Sequence, residues 1–286
     1  MRMIKMPITS ATSPAMPVLM SLELTVNNHI ARVALNRPAK ANAMSREVWE
    51  ELRIVFDWID AADEARVAVI SGNGAHFTSG IDLAMLAGVA DEVDDDCEAR
   101  KREKLRRVIL DLQDSLSRLE RCRKPVIAAV HGACIGGGID LICCADMRYC
   151  SADANFSIKE IDMGMTADVG TLQRLPKLIG DGMARELAYT GRQFSALEAK
   201  EIGLVNCVYE TPEALLENTM KIAADIAAKS PLAIRGTKEM ILYARDHTVA
   251  DGLNYIATWN AAMLMSADLQ EAMMASMQKQ KPTFRD

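Results

Sequence analysis

No stretch of this sequence approaches the roughly 20 consecutive apolar residues that a membrane-crossing helix needs, so membrane insertion is not expected. Residues Met1 to Ser21 lack the apolar core and cleavage site of a secretory leader. They carry Arg2 and Lys5 and no acid, a composition compatible with a mitochondrial presequence and equally with a flexible tail over residues 1–20. The chain ends Thr283-Phe284-Arg285-Asp286 rather than in S-K-L, which disfavours a peroxisomal address and leaves a bacterial cytoplasm preferred, with the mitochondrial matrix as the alternative. The seven cysteines form no C-x-x-C pair and several sit in apolar runs, the pattern of buried, reduced thiols. The four histidines, His29, His76, His131 and His247, show no H-x-x-x-H or H-x-x-E spacing, and no metal site is expected. A basic excess is missing as well. With 33 Lys and Arg against 39 Asp and Glu, the chain does not present a surface for nucleic acid, and the one basic run, Arg100 to Arg107, reads as a solvated helix face.

What is present is enough for a large core, since 50% of the 286 residues are hydrophobic and neither repeats nor flexible linkers divide them. LELTV and HIARVAL, between Leu22 and Leu35, alternate like the two arms of a hairpin turning at Asn27-Asn28. Ser45 precedes a helical apolar spacing through Val48, Leu52, Val55, Phe56 and Ile59 and is placed to cap it. Two short apolar runs, Val67 to Ile70 and Pro125 to Val130, read as buried strands, each followed by a glycine-bearing loop, with a polar helix over Arg100 to Arg121 between them. Strand, glycine loop and helix in alternation imply an α/β layer arrangement with largely parallel strands. Helical spacing then dominates over Val169–Tyr189, Pro212–Lys229 and Leu232–Met277, with one strand signal at Leu204–Tyr209. The natural division is an α/β core over 21–228 and a helical region over 229–286. The Met-rich stripe of that region, Met263, Leu264, Leu269, Met273, Met274 and Met277, suits a core or a subunit interface.

Chemistry concentrates in two loops and a set of acids. His131 to Asp140 places Gly136-Gly137-Gly138 between a strand and a helix start, where the backbone is open to a close ligand. Neither G-x-G-x-x-G nor a P-loop ending is present, which disfavours a nucleotide fold. The second loop, Gly72 to Leu83, also follows a strand. Should the two converge, one amide from each could donate to a single carbonyl oxygen and stabilise an enolate or tetrahedral oxyanion. Downstream stand Asp140, Glu160, Asp162 and Asp168. Glu160 and Asp168 would be about 12 Å apart on a straight helix, so both reach one substrate only if the chain folds back, which Gly164 permits. Asp168 could alternatively cap the helix beginning near Thr171, Asp140 could simply favour a helix N-terminus, and Asp162 reads as surface.

These residues together resemble the enoyl-CoA hydratase/isomerase, or crotonase, superfamily. The resemblance rests on Leu35-Asn36-Arg37-Pro38 with Asn42-Ala43-Met44, on Ser79-Gly80-Ile81-Asp82-Leu83, and on His131-Gly132 with the triple glycine. It implies a spiral core of ββα units with a helical C-terminal trimerisation region, and an acyl-CoA thioester substrate. The amides of Ile81 and Gly137 would form the oxyanion hole, with Ser79, Gly80, Ile81, Asp82, Leu83 and Gly137 along the substrate. Within the superfamily, the stretch from Gly136 to Gly180 looks most like the delta-3,5-delta-2,4-dienoyl-CoA isomerase branch: hydratases carry Glu where Asp140 stands and lack an acid at Asp168. The resemblance then implies beta-oxidation of unsaturated fatty acids, with Glu160 serving carbon 2 and Asp168 carbon 6, or the reverse, and Asp140 tuning the pair. It further implies no metal, flavin or nicotinamide and a trimeric or hexameric assembly. A hydratase acting on 2-enoyl-CoA is the alternative.

Overall fold

The computed structural model describes residues 14–286. The presequence reading of the N-terminus falls for the most part outside them. From residue 14 the chain is held rather than free: Trp58 Nε1–H donates to Pro14 O at 2.8 Å, and Glu51 accepts the backbone N–H groups of Met20, Ser21 and Leu22 at 2.6, 2.9 and 2.8 Å.

Strands β1 (Leu22–Asn27) and β2 (Ile30–Leu35) form the expected hairpin, but its turn lies one residue later than expected, at Asn28 and His29. Both have left-handed φ, 49° and 64°, as a two-residue primed turn requires. Helix α1 (Arg46–Ala61) follows. Ser45 occupies its N-cap without bonding the helix backbone, because its hydroxyl donates instead to Glu47 at 2.6 Å. The chain continues through β3 (Val67–Gly72), α2 (Leu83–Glu92), α3 (Glu98–Arg121), β4 (Val126–Val130), β5 (Ala133–Ile135), α4 (Gly137–Cys143), β6 (Met147–Ser151) and β7 (Asn155–Ser157). After a 3-10 turn over Lys159–Met163 come α5 (Thr171–Ile179), α6 (Asp181–Thr190), β8 (Phe194–Ser195), α7 (Ala196–Glu201), β9 (Cys207–Tyr209) and α8 (Pro212–Ala227). Helices α9 (Pro231–Ala244), α10 (Val249–Met263) and α11 (Ala267–Met277) complete the fold. Val169–Tyr189 is thus two helices broken at Gly180, whose φ of 83° suits glycine, and Leu232–Met277 is three. Strands β5, β7 and β8 carry too few residues for a periodicity, and β6, with Arg148 in it, lacks the unbroken apolar run of β4, so all four escape sequence reading.

The large sheet runs β1-β2-β3-β4-β6-β9, parallel throughout except for the opening hairpin. Side chains alternate between its faces. Ala31, Val33, Leu35, Ala68, Ile70, Val126, Ala128 and Val130 enter the main core with α1, while Ile30, Val67, Val69, Ile127 and Ala129 pack under Leu215, Ala223 and Ala227 of α8. After β2, β3, β4 and β6 the chain adds a short extended piece before its helix. Met44 bridges Ile81, Thr78 bridges Cys134, and β5 pairs with β7, which pairs with β8 in a second sheet. This repetition of strand, short strand and helix is the ββα spiral, and it gathers the loops after β3 and β4 side by side.

The C-terminal helices are fastened to the core by Lys238, whose buried ammonium donates to Lys124 O at 3.0 Å and to Asp146 Oδ2 at 2.7 Å. Met263, Leu264, Met273, Met274 and Met277 are all exposed, so the stripe is not core within one chain. The basic run is neutralised locally: Arg100 pairs with Asp95 and Asp96, Lys101 with Asp94, and Arg107 with Glu103. No helix among the described residues is long and apolar enough to cross a membrane.

Because Glu51 alone satisfies three successive N–H groups at the entry to β1, Glu51→Ala is expected to lower stability by about 1–3 kcal/mol, read from the urea midpoint at unchanged slope.

Candidate active site

The two glycine loops do converge. Phe77 N–H donates to His131 O at 2.8 Å, Thr78 N–H to Ala133 O at 2.9 Å and Ile135 N–H to Thr78 O at 3.1 Å, so residues 77–81 run beside 131–137 like a further strand pair. The approach is tight enough that a methyl group at Gly80 would stand 2.8 Å from Ile135 O and 3.7 Å from Gly137 N, and one at Gly138 would strike Thr78 Cγ2. The left-handed φ of Gly80, 93°, also excludes a side chain there.

The directions of two amides follow from this geometry. Met44 N–H donates to Gly80 O at 2.8 Å and Asp82 N–H donates to Met44 O at 3.1 Å. In an extended chain successive N–H groups point to opposite sides, so the N–H of Ile81, between them, points away from Met44. Gly137 is the first residue of α4, and a first-turn N–H has no partner inside its helix. Met44 Sδ and the Trp49 ring back Gly137 on its other side.

Asp140, on α4, is fully buried. Its Oδ1 accepts Thr171 N–H at 2.5 Å while its Oδ2 has no partner. The cap of α5 is therefore supplied by Asp140, and not by Asp168 as local sequence spacing allowed. Burial pushes its pKa up to about 6, against the lowering effect of the Thr171 bond, and the charge of Asp168 raises it further. Glu160 sits in the 3-10 turn, which Gly164 closes with a left-handed φ of 71°, and the chain folds back there. Its Oε2 is buried without a partner and its Oε1 would lie 3.1 Å from a methyl group on Gly136, so this carboxylate rests against the glycine loop. Desolvation first, then the charges of Asp140 and Asp168, push the Glu160 pKa up to about 7. Asp168 is more open, and its pKa is raised by partial burial. Gln113 Nε2–H of α3 holds the Asp168 carbonyl at 2.6 Å, and Asp168 lines a polar cavity of about 390 Å³ with Gln113, Glu120 and Arg174. Asp162 is exposed and bonded to Lys159.

Of the remaining expected residues, Ser79 anchors its loop through its N–H to Ala41 O at 2.9 Å. Asp82 spends its carboxylate on the Arg37 guanidinium and on the Ala84 N–H that caps α2, both at 3.0 Å, and the Arg37 bond lowers its pKa. Leu83 starts α2 and is exposed. Sequence reasoning gave no structural role to Asn42. This buried, left-handed residue donates from Nδ2 to Asn73 O and His76 O at 2.9 and 2.8 Å, while its own carbonyl accepts the Thr78 hydroxyl at 2.6 Å. It is the latch of the Gly72–Gly80 loop. Its signal was an asparagine followed by small residues in a turn, a pattern too common to stand out.

Comparison with known proteins agrees with this geometry. The family model described as Enoyl-CoA hydratase/isomerase matches residues 25–286. The protein named Delta(3,5)-Delta(2,4)-dienoyl-CoA isomerase, peroxisomal, of Arabidopsis thaliana is 47% identical over 259 residues, 90% of this chain and 93% of that protein. The Homo sapiens protein of the same name, mitochondrial, is 47% identical over 258 residues, 90% of this chain and 79% of that one. The crystal structure of an enoyl-CoA hydratase from Bacillus anthracis superposes with a TM-score of 0.85 at 31% identity, covering 93% of this chain and 99% of that one. With its ββα spiral and paired glycine loops, the chain belongs to the enoyl-CoA hydratase/isomerase family.

Proposed function

We propose that the chain isomerises 3,5-dienoyl-CoA thioesters to 2,4-dienoyl-CoA, breaking a C–H bond at carbon 2 and forming one at carbon 6. What carries this reading is the second carboxylate: the chain folds back at Gly164, so that Asp168 stands three residues before the Thr171 that Asp140 holds, while Glu160 rests against Gly136 of the glycine loop. The amides of Ile81 and Gly137 would hold the thioester oxygen as the dienolate develops, and donors aimed at developing charge account for much of the rate in such sites. Glu160 serves carbon 2 and Asp168 carbon 6, a shift longer than one side chain spans. Asp140, bonded at Thr171, holds the α5 entrance that carries Asp168 in place and raises the proton affinity of Glu160. The names of the relatives support the same reaction.

The reaction moves protons only and calls for no metal, flavin or nicotinamide. The outward Met stripe on α10 and α11 suits contacts between copies of the chain, in a trimer or a pair of trimers. The compartments in the relatives' names, peroxisomal and mitochondrial, favour an organelle matrix and lend no support to a bacterial cytoplasm.

Incubation with 3,5-dienoyl-CoA should yield the conjugated 2,4-dienoyl product, absorbing at longer wavelength; hydration of 2-enoyl-CoA with no isomerisation would make the chain a hydratase instead. Asp168→Asn is expected to fold normally and to lose roughly 100- to 10,000-fold in kcat; near-normal turnover would exclude Asp168 from proton transfer. The pair works while it shares one proton. The reactive form has Glu160 ionised to take the carbon 2 proton and the single proton on Asp168 for carbon 6. Loss of that one proton from the pair as pH rises through about 7 should lower kcat/KM, and uptake of a second, which neutralises Glu160 as well, should lower it again in acid, a bell-shaped profile. A profile flat over roughly pH 5 to 9 would rule the pair out.

A further inference from the structure

We infer that the α8 face of the large sheet, opposite the face on which Met44 and Trp49 back Gly137, carries a binding site for a phosphate group. The inference is independent of the isomerase reading. That face is otherwise apolar, built from Ile30, Val67, Val69, Ile127 and Ala129 under α8. By strand alternation, Arg32 of β2 and Ser71 of β3 project from the same face. Both line a cavity of about 200 Å³ that also takes in Gly74, His131 and the first turn of α8, Pro212 and Glu213. Neither polar group has a protein partner: Arg32 Nε is buried and unbonded, and Ser71, only 5% exposed, has a buried hydroxyl with no hydrogen bond. A sequence that sets a guanidinium and a hydroxyl on an apolar face, with both donors unmet, leaves them for a ligand.

The remaining walls fix its charge and shape. Helix α8 is 16 residues long and its first turn lines the cavity, which sets its positive end at the wall. Its first-turn donor at Ala214 is already taken by Thr211 Oγ1 at 3.2 Å, so the helix contributes field rather than hydrogen bonds. His131 Nε2–H is spent on Gly74 O at 2.9 Å, which ties together the roots of the two glycine loops. Donors thus arrive from β2 and β3 and a positive pole from α8, three directions that suit a tetrahedral oxyanion better than a flat carboxylate, and the Arg32 fork matches phosphate oxygens. Two acids just beyond the lining are already bonded, Asp153 to Ser151 and the Gly132 N–H and Glu23 to Asn73, which leaves Glu213 as the one acid lining the cavity, at its rim with its carboxylate in solvent. It limits affinity without filling the cavity.

Equilibrium dialysis of the full chain against labelled inorganic phosphate tests this. One saturable site per chain is expected, weakened roughly tenfold or more in both Arg32→Gln and Ser71→Ala, and tightened several-fold in Glu213→Gln. The Glu213 variant guards against misfolding, since a damaged protein would not bind more tightly. Displacement of the label by glycerol phosphate at lower concentration than by unlabelled phosphate would assign the site to a phosphate ester, and the reverse order to the free ion. Absence of saturable binding, binding unchanged in Arg32→Gln, weaker binding in Glu213→Gln, or equal displacement by acetate would each overturn the assignment.

Discussion

A single buried hydrogen bond, from Thr171 N–H to Asp140 Oδ1, joins the two halves of the catalytic region. Asp140 belongs to α4, whose first residue is Gly137, and Thr171 opens α5, three residues after Asp168. The bond therefore fixes the distance between an unpaired amide on one element and a carboxylate on the next. A capping side chain within α5's own lead-in would satisfy the same N–H but leave α5 free to shift relative to the glycine loop. Gly170, with φ 137° and Arg174 pressed against it, makes the turn that delivers Thr171 to Asp140, and a side chain there would meet the Arg174 guanidinium.

This arrangement carries an energetic cost that is itself functional. Asp140 keeps one oxygen unpaired in a dry interior, and Glu160 does the same. Their folded pKa values, about 6 and about 7, lie above those of free carboxyls. The folded chain thus binds protons more tightly than the unfolded one, and the two groups favour folding least once pH has risen through those values. Near neutrality the protein holds acids that desolvation keeps reluctant to ionise, and such acids exchange protons with a carbon acid most readily. The Arg174 guanidinium lowers the Asp140 pKa without cancelling the effect of burial, and is itself paired with Glu120 at 3.0 Å.

Much of this was legible in the sequence because its signals are backbone signals. The hairpin, β3, β4 and α1 follow from alternation and helical spacing, and the convergence of the glycine loops follows from their repeated place after a strand. The carboxylates were visible as residue types, and Gly164 as the bend between Glu160 and Asp168. What could not be read was long-range pairing. That Asp140 rather than Asp168 caps α5 depends on a contact across 31 residues. Asn42 was quoted only as part of a motif, yet it organises a loop more than 30 residues away through two carbonyls. Short strands such as β5 and β7 are defined by their neighbours, since three residues carry no period of their own.

The two faces of the large sheet divide the chemistry. On the α1 face the loops after β3 and β4 turn over the strand ends, and their glycines strip away side chains so that amides and acids meet a substrate. On the α8 face the same strands end in Ser71 and Ala129, with Arg32 beside them, beneath a helix terminus. His131 belongs to both: its ring bonds Gly74 O, while its carbonyl accepts the Phe77 N–H. A ligand held at Arg32 and Ser71 would therefore lie beside the roots of both loops. Parallel strands whose loops leave from one end make such proximity unavoidable, since ligands gather at the carboxyl ends of the strands on either face.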